Sequence, residues 1–263
     1  MSTIQELKNQ ISKTQVIMLV GGKGKRLGYP DIPKALIKVA GKTLIEREIE
    51  LYRNCGFRKF KLLIGHLGEK IVEYIGDGSK FGVEVEYSED PKVAKVGKGK
   101  ALKHAIEVGV IDTKSRGIIT FPDDLKLDKF LPIKLLAHHL YGVEKFNVWA
   151  TTLLVTSTTY PYGVAKVNPD GIVEEFVEKP KISMYTHVGV CVVEPEVYKL
   201  IVEMIDINSP RSIEYEAVIL PKLASERKLF SMTIPGDDRS IWIPINTRKE
   251  LEIAEEKLKA KSE

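Results

Sequence analysis

Apolar positions along this chain follow two rhythms. Residues 16–20 form an unbroken apolar run that stops at Gly21-Gly22, as a parallel strand buried on both faces does when it enters a tight loop. Strands are predicted in the same way at 61–64, 83–87 and 117–121. Between them the spacing turns helical. Thr43 and Glu46 stand at capping-box separation, Leu44, Ile45, Ile49 and Tyr52 share one helical face, and Gly56 supplies a stop. Helices are also expected over 69–75 and 100–108.

Alternating strands and helices predict a mostly parallel, doubly wound α/β sheet, whose ligands bind beyond the carboxyl ends of the strands. The glycine loop after residue 20 and the Pro122-Asp123-Asp124 segment both fall there. After a strand at 148–155 the pattern changes. Segments 164–167 and 172–177 flank Pro169-Asp170-Gly171, a hairpin signal, so this half is more antiparallel. Strands at 186–193, 229–234 and 241–243 and a helix at 213–225 follow. Thr247 and Glu250 then form a second capping box before a C-terminal helix. No internal repeat or low-complexity linker interrupts the 263 residues, and one domain is expected.

Composition narrows the class. Hydrophobic residues at 43% and charged residues at 29% fit a globular protein and exclude a mostly disordered one. A net charge of +4 is too small to mark a nucleic-acid binder, so any basic site is local. Two cysteines without a C-x-x-C context argue against a disulfide scaffold and for a cytoplasmic location. The polar, helix-prone first fifteen residues lack the apolar core of a signal peptide, and no run is long enough to span a membrane.

Gly21-Gly22-Lys23-Gly24-Lys25-Arg26-Leu27 combines three glycines with three cations just after a strand. Glycines let backbone N–H groups approach a phosphate, and the cations neutralise its charge. Two other phosphate motifs fail. Gly22, Gly24 and Gly28 are misspaced for a dinucleotide fingerprint, and Leu36 stands where a P-loop ending in Gly41-Lys42-Thr43 needs its leading glycine. Lys34, after Pro33, is placed to fold back toward the loop as a point charge for phosphate. Adjacent His138 and His139 lie in a leucine-rich segment and are read as one core and one surface residue rather than metal ligands.

The glycine loop with Pro33-Lys34 resembles the signature of the sugar-1-phosphate nucleotidyltransferase family. The similarity continues through segments 65–71 and 76–83, Pro122-Asp123-Asp124-Leu125, Tyr162-Gly163-Val164 and Phe176-Val177-Glu178-Lys179-Pro180, from about residue 16 to 258. This resemblance implies a Rossmann-like, mostly parallel mixed sheet flanked by helices, the GT-A-like nucleotidyltransferase fold, with an embedded, more antiparallel sugar-binding half. The nucleotide half would span about 15–150, the sugar half about 151–235, and a metal-ligand strand and helix 236–263.

It also implies roles. Arg26, Lys34 and Asp123 would be catalytic, with Arg26 at the departing pyrophosphate and Lys34 at the α-phosphate. Leu19, Gly21, Gly22, Gly24, Lys25, Gly97 and Lys98 would hold the nucleotide. Gly163, Glu178, Lys179 and His187 would hold the sugar phosphate. Asp123 and Asn246 would bind Mg2+, with Asp124 either supporting that site or capping a nearby helix. Asn246 enters because Pro244 stands where many relatives carry a metal-binding aspartate, while uridylyltransferases acting on acetylglucosamine-1-phosphate place an asparagine just before the last helix. The expected partners are a nucleoside triphosphate and a sugar-1-phosphate, with no nucleic acid and no membrane, and a homo-oligomer left open.

Two further departures bear on substrates. Gly97-Lys98-Gly99-Lys100-Ala101-Leu102 has two lysines where the family keeps small residues, which leaves the base open. His187-Val188-Gly189 replaces an Asn-Ala-Gly stretch, which leaves the sugar open. Rival readings are a regulatory paralogue without catalysis, a cytidylyltransferase for an alcohol phosphate such as inositol phosphate, and a glycosyltransferase. The last normally needs Asp-x-Asp, which Asp123-Asp124 does not supply.

Overall fold

The computed structural model describes residues 4–22, 27–236 and 241–260. A seven-stranded sheet organises them. Its strands, in chain order, are β1 (Gln15–Leu19), β2 (Lys59–Ile64), β3 (Glu84–Glu89), β4 (Gly117–Thr120), β5 (Ala150–Val155), β6 (Thr186–Val193) and β7 (Leu229–Ile234). Their spatial order is β7-β5-β6-β4-β1-β2-β3. Strands β3, β2, β1 and β4 run parallel to their neighbours, β6 is antiparallel to both β4 and β5, and β7 returns parallel to β5.

The run at 16–20 is apolar throughout because both faces of β1 are covered. Val16, Met18 and Val20 enter one core with helices α1 (Ile4–Lys13), α2 (Leu44–Asn54), α3 (Gly68–Ile75) and α5 (Leu131–Phe146). Ile17 and Leu19 enter the opposite core with α4 (Gly97–Glu107), α6 (Pro195–Met204) and α7 (Tyr215–Ser225). Each such side chain contributes about 1.5–3 kcal/mol on burial, so a polar residue on either face would be selected against. Both capping boxes form. Thr43 N–H donates to Glu46 Oε2 at 2.8 Å and Thr247 N–H to Glu250 Oε2 at 2.9 Å.

Of the boundaries that differ from the sequence reading, two share one reason. Helix α4 begins at Gly97 rather than residue 100, and α7 at Tyr215 rather than 213. The two starts are laced together: Gly99 N–H donates to Ile213 O at 2.8 Å and Ile213 N–H to Val96 O at 3.3 Å. Gly97 has φ +72°, and a side chain there would collide with the Ile213 backbone, so this entry requires glycine. Helices α5 and α6 were not foreseen, although both carry proline in the first turn.

A third, smaller core holds Leu27, Ile37, Val39, Leu44, Leu125, Ile243, Ile245, Leu251 and Ala254. It joins the C-terminal helix α8 (Arg248–Ala260) to an antiparallel ribbon between Asp124–Lys126 and Trp242–Pro244. This core lies directly behind the strand-end cleft.

Candidate active site

A cleft of about 690 Å³ opens at the carboxyl ends of the central strands, lined among others by Leu19, Gly21, Gly22, Lys34, Gly97, Lys98, Asp123, His187 and Asn246. The segment after β4 turns sharply at Pro122 and presents Asp123 before entering the ribbon. Ile245 N–H donates to Asp123 O at 3.0 Å, so the two ribbon strands leave side by side. Asn246 N–H donates to Glu250 Oε2 at 2.8 Å, which fixes the asparagine to the start of α8. Lys34 arrives on a short turn, Lys34–Leu36, set by Pro33. Its Nζ donates to Asp123 Oδ2 at 2.9 Å and to Asn246 Oδ1 at 3.1 Å.

Three residues separated by up to 212 positions therefore meet at one point. Asp123 Oδ2 and Asn246 Oδ1 are hard oxygen donors aimed at a shared position where a cationic nitrogen sits. Such a pair fits a small divalent cation that takes its remaining ligands from phosphate and water. Among the described residues no group of three or more His, Cys, Asp and Glu could hold a metal ion.

Behind this point the charges are buried. Burial, with repulsion from Asp123, pushes the Asp124 carboxyl up to about 7. Lys126 Nζ, on the same ribbon, donates to Glu48 Oε1 of α2 and to Phe121 O, both at 2.7 Å. Thr120 Oγ1 also donates to Glu48 Oε1, at 2.6 Å. Burial raises the Glu48 carboxyl while Lys126 opposes the shift. Lys126 and Glu48 side chains are only 1% and 4% exposed, so removing either partner would strand a charge, a loss of about 3–5 kcal/mol. The pair anchors the Asp123 segment to α2.

The opposite wall was only partly legible. Lys98 pairs with Glu216 and, at 3.6 Å, with Glu214, and lies 4.9 Å over the Phe121 ring. His187 Nδ1 lies 2.6 Å from Thr152 Oγ1, while its Nε2 is buried without a hydrogen-bond partner among the described residues. Burial, then the nearby Lys98 charge, pulls His187 down to about 4, so its ring is neutral at pH 7. Glu216 Oε2 is likewise buried and unpartnered. Glu214, Glu216 and Trp242 line the cleft without having been singled out from the sequence, as does Asp90, whose carboxyl burial pushes up to about 6. Asp90, Glu214 and Glu216 belong to no short motif.

Gly163, Glu178 and Lys179 lie elsewhere. They stand at the base of an antiparallel ribbon, Val164–Val167 with Val173–Val177, and are not among the cleft-lining residues. Glu178 and Lys179 side chains are 63% and 61% exposed and pair with each other at 3.8 Å. A side chain at Gly163 would meet the tip of the exposed Phe176 ring. Lys179 has φ +48° immediately before Pro180, a left-handed conformation unusual for a residue with a side chain. Gly24, Lys25 and Arg26 lie outside the described residues. His139 is buried between Thr151 and Glu194, and His138 stacks on Phe230, a core and a surface residue as the sequence suggested.

A model of the nucleotidyl transferase family matches residues 15–256, taking in the glycine loop, the Asp123 segment and Asn246 together. The chain belongs to that family. Members similar to it include a Drosophila pseudoobscura mannose-1-phosphate guanylyltransferase catalytic subunit beta, 27% identical over 90% of this chain and 60% of the relative. A Synechocystis UTP–glucose-1-phosphate uridylyltransferase is 28% identical over 70% of this chain and 50% of the relative. This chain thus spans about 60% of the length of the first of these relatives. A Bacillus anthracis crystal structure described as a glucose-1-phosphate thymidylyltransferase in complex with a sucrose superposes with a TM-score of 0.65. It is 22% identical, covers 92% of this chain and 94% of that one, and bears out the Rossmann-like mixed sheet of this family.

Proposed function

We propose that this protein joins a nucleoside triphosphate to a sugar-1-phosphate and releases pyrophosphate. The observation that carries this reading is the convergence of Lys34, Asp123 and Asn246 at the strand ends of a nucleotidyl transferase fold. A phosphate oxygen of the sugar-1-phosphate attacks the α-phosphorus in line. The new P–O bond forms as the bond to the pyrophosphate oxygen breaks. The attacking phosphate is already an anion near neutral pH, so no side chain is needed as a general base, and alignment with charge neutralisation does the work.

Lys34 neutralises charge at the α-phosphate, and Arg26, Lys25 and Gly24 hold the leaving end. Gly21 and Gly22 let the triphosphate approach the backbone, with Leu19, Gly97 and Lys98 along its path. Asp123 and Asn246 hold Mg2+, which when bound neutralises phosphate charge that the lysine alone leaves uncompensated. His187 faces the acceptor as a neutral ring, while Glu178, Lys179 and Gly163 grip it from the ribbon side. In this reading residues 15–150 form the nucleotide half, 151–235 the acceptor half and 236–263 the metal-ligand strand and helix, within one domain. The free, buried Cys55 and Cys191 support a reducing cytoplasm as the setting.

A matrix of triphosphates against sugar-1-phosphates and inositol phosphate, scored by pyrophosphate release with Mg2+, tests the proposal. Release that requires both substrates is the expected result. No release from any pair would leave a ligand-binding regulatory protein as the better description.

A further inference from the structure

Helix α4 carries three lysines, Lys98, Lys100 and Lys103, and each reaches across to α6, α7 or the connector between them. Lys98 lines the cleft and pairs with Glu214 and Glu216 at the start of α7. Lys103 lies further along the helix, where its Nζ donates to Val202 O at 2.7 Å and Ile205 O at 2.8 Å. Neither Val202 nor Ile205 is among the cleft-lining residues. Lys100 stands between the two and is 0% exposed. Its Nζ donates to Lys95 O at 2.7 Å and to Ser209 O at 2.6 Å, so one ammonium ties the loop before α4 to the connector before α7.

Burying an ammonium costs far more than burying an apolar chain of the same length, and bonds to neutral carbonyls only partly offset that cost. What the lysine adds over a methionine is the tie. The two segments it joins lead directly into one wall of the cleft: Val96, Gly97 and Lys98 follow Lys95, and Glu214 and Glu216 follow Ser209. They also meet through the main chain, by Gly99 N–H to Ile213 O at 2.8 Å and a longer bond from Ile213 N–H to Val96 O at 3.3 Å.

We infer that Lys100 is a positioning residue that fixes the Gly97 and Lys98 side of this wall against the Glu214 and Glu216 side, and so sets how tightly the triphosphate is held. This rests on the reading that the cleft takes a nucleoside triphosphate along Gly97 and Lys98. The reacting point at Lys34, Asp123 and Asn246 stands on other elements, so turnover of the bound substrates should be spared.

Lys100→Met keeps an unbranched chain and removes every N–H donor. It should raise KM for the triphosphate about tenfold, leave kcat within about twofold, and leave the magnesium concentration for half-maximal activity unchanged. Lys100→Gln, which keeps a donor on a shorter chain, should fall between wild type and Lys100→Met. Lys103→Met loses bonds of the same kind away from the cleft, so it should lower thermal stability and leave both kinetic constants unchanged. Equilibrium binding of GTP, UTP, CTP, dTTP and ATP gives the same comparison without turnover: the tightest of them should bind about tenfold more weakly to Lys100→Met and equally to Lys103→Met. If no substrate pair releases pyrophosphate, the catalytic reading fails while binding still decides the role of Lys100. In wild type, amide hydrogen exchange should slow together in segments 92–97 and 206–213 when that triphosphate binds, a measurement that needs no variant to fold. Unchanged binding in Lys100→Met, an equal loss in Lys103→Met, a fall in kcat at constant KM, or protection confined to one segment would overturn the assignment. So would the failure of all five triphosphates to bind.

Discussion

The Lys34–Asp123–Asn246 point and the Glu178–Lys179 pair carry similar chemical groups in opposite surroundings. The first is set by strand ends, a two-stranded ribbon and the cap of α8, with the Glu48–Lys126 ion pair and the third apolar core behind it. Lys34 there is only 12% exposed. The second stands on a ribbon whose strands Val164–Val167 and Val173–Val177 are exposed along their whole length, with Tyr162, Ile172 and Phe176 also open to solvent. A charge held by buried packing keeps its geometry before the ligand arrives. An exposed pair is screened by water and salt and contributes about 0–1 kcal/mol by itself. The cleft groups are thus held in place by packing, whereas the role proposed for the ribbon residues would require an acceptor to bridge them to the cleft.

That contrast orders the expected effects of substitution. Asp123→Ala removes a preorganised oxygen from the reaction centre and should lower kcat by at least about a hundredfold, since electrostatic groups of this kind each account for several kcal/mol of transition-state stabilisation. Pyrophosphate release within a few fold of wild type would show that the reacting phosphates lie elsewhere. Lys179→Ala should act more weakly and on one substrate. It should raise KM for the sugar phosphate by about tenfold, the size of one charge-assisted contact, and leave triphosphate binding nearly unchanged. Equal losses for both substrates would erase the distinction between cleft and ribbon.

Much of this division could be read from the sequence because its cues are local. The apolar run at 16–20 required cover on both faces, and the Thr43–Glu46 and Thr247–Glu250 boxes fixed where α2 and α8 begin. Asn246 could be placed at the cleft because the box starting at Thr247 pins its backbone, and Pro244 has no side-chain donor atom. Asp90, Glu214 and Glu216 were not legible. Their importance depends on which strand and helix ends become neighbours, and no spacing along the chain encodes that. Helices α5 and α6 escaped notice because apolar-rich segments do not reveal their period. The exposure of the ribbon was hidden for the opposite reason: Val164, Val173 and Phe176 look like core residues in a sequence, and only the topology leaves them uncovered.

The most direct test of the cleft as the reaction centre is the magnesium dependence of pyrophosphate release in wild type and Asn246→Ala. Asn246 Oδ1 lies 3.1 Å from the same nitrogen as Asp123 Oδ2, so losing it should raise the magnesium concentration needed for half-maximal activity by about tenfold. Triphosphate binding measured without metal should change little. Superimposable magnesium curves for the two proteins would contradict the assignment of Asn246 as the second protein ligand and, with it, the placement of the metal between Asp123 and the last helix.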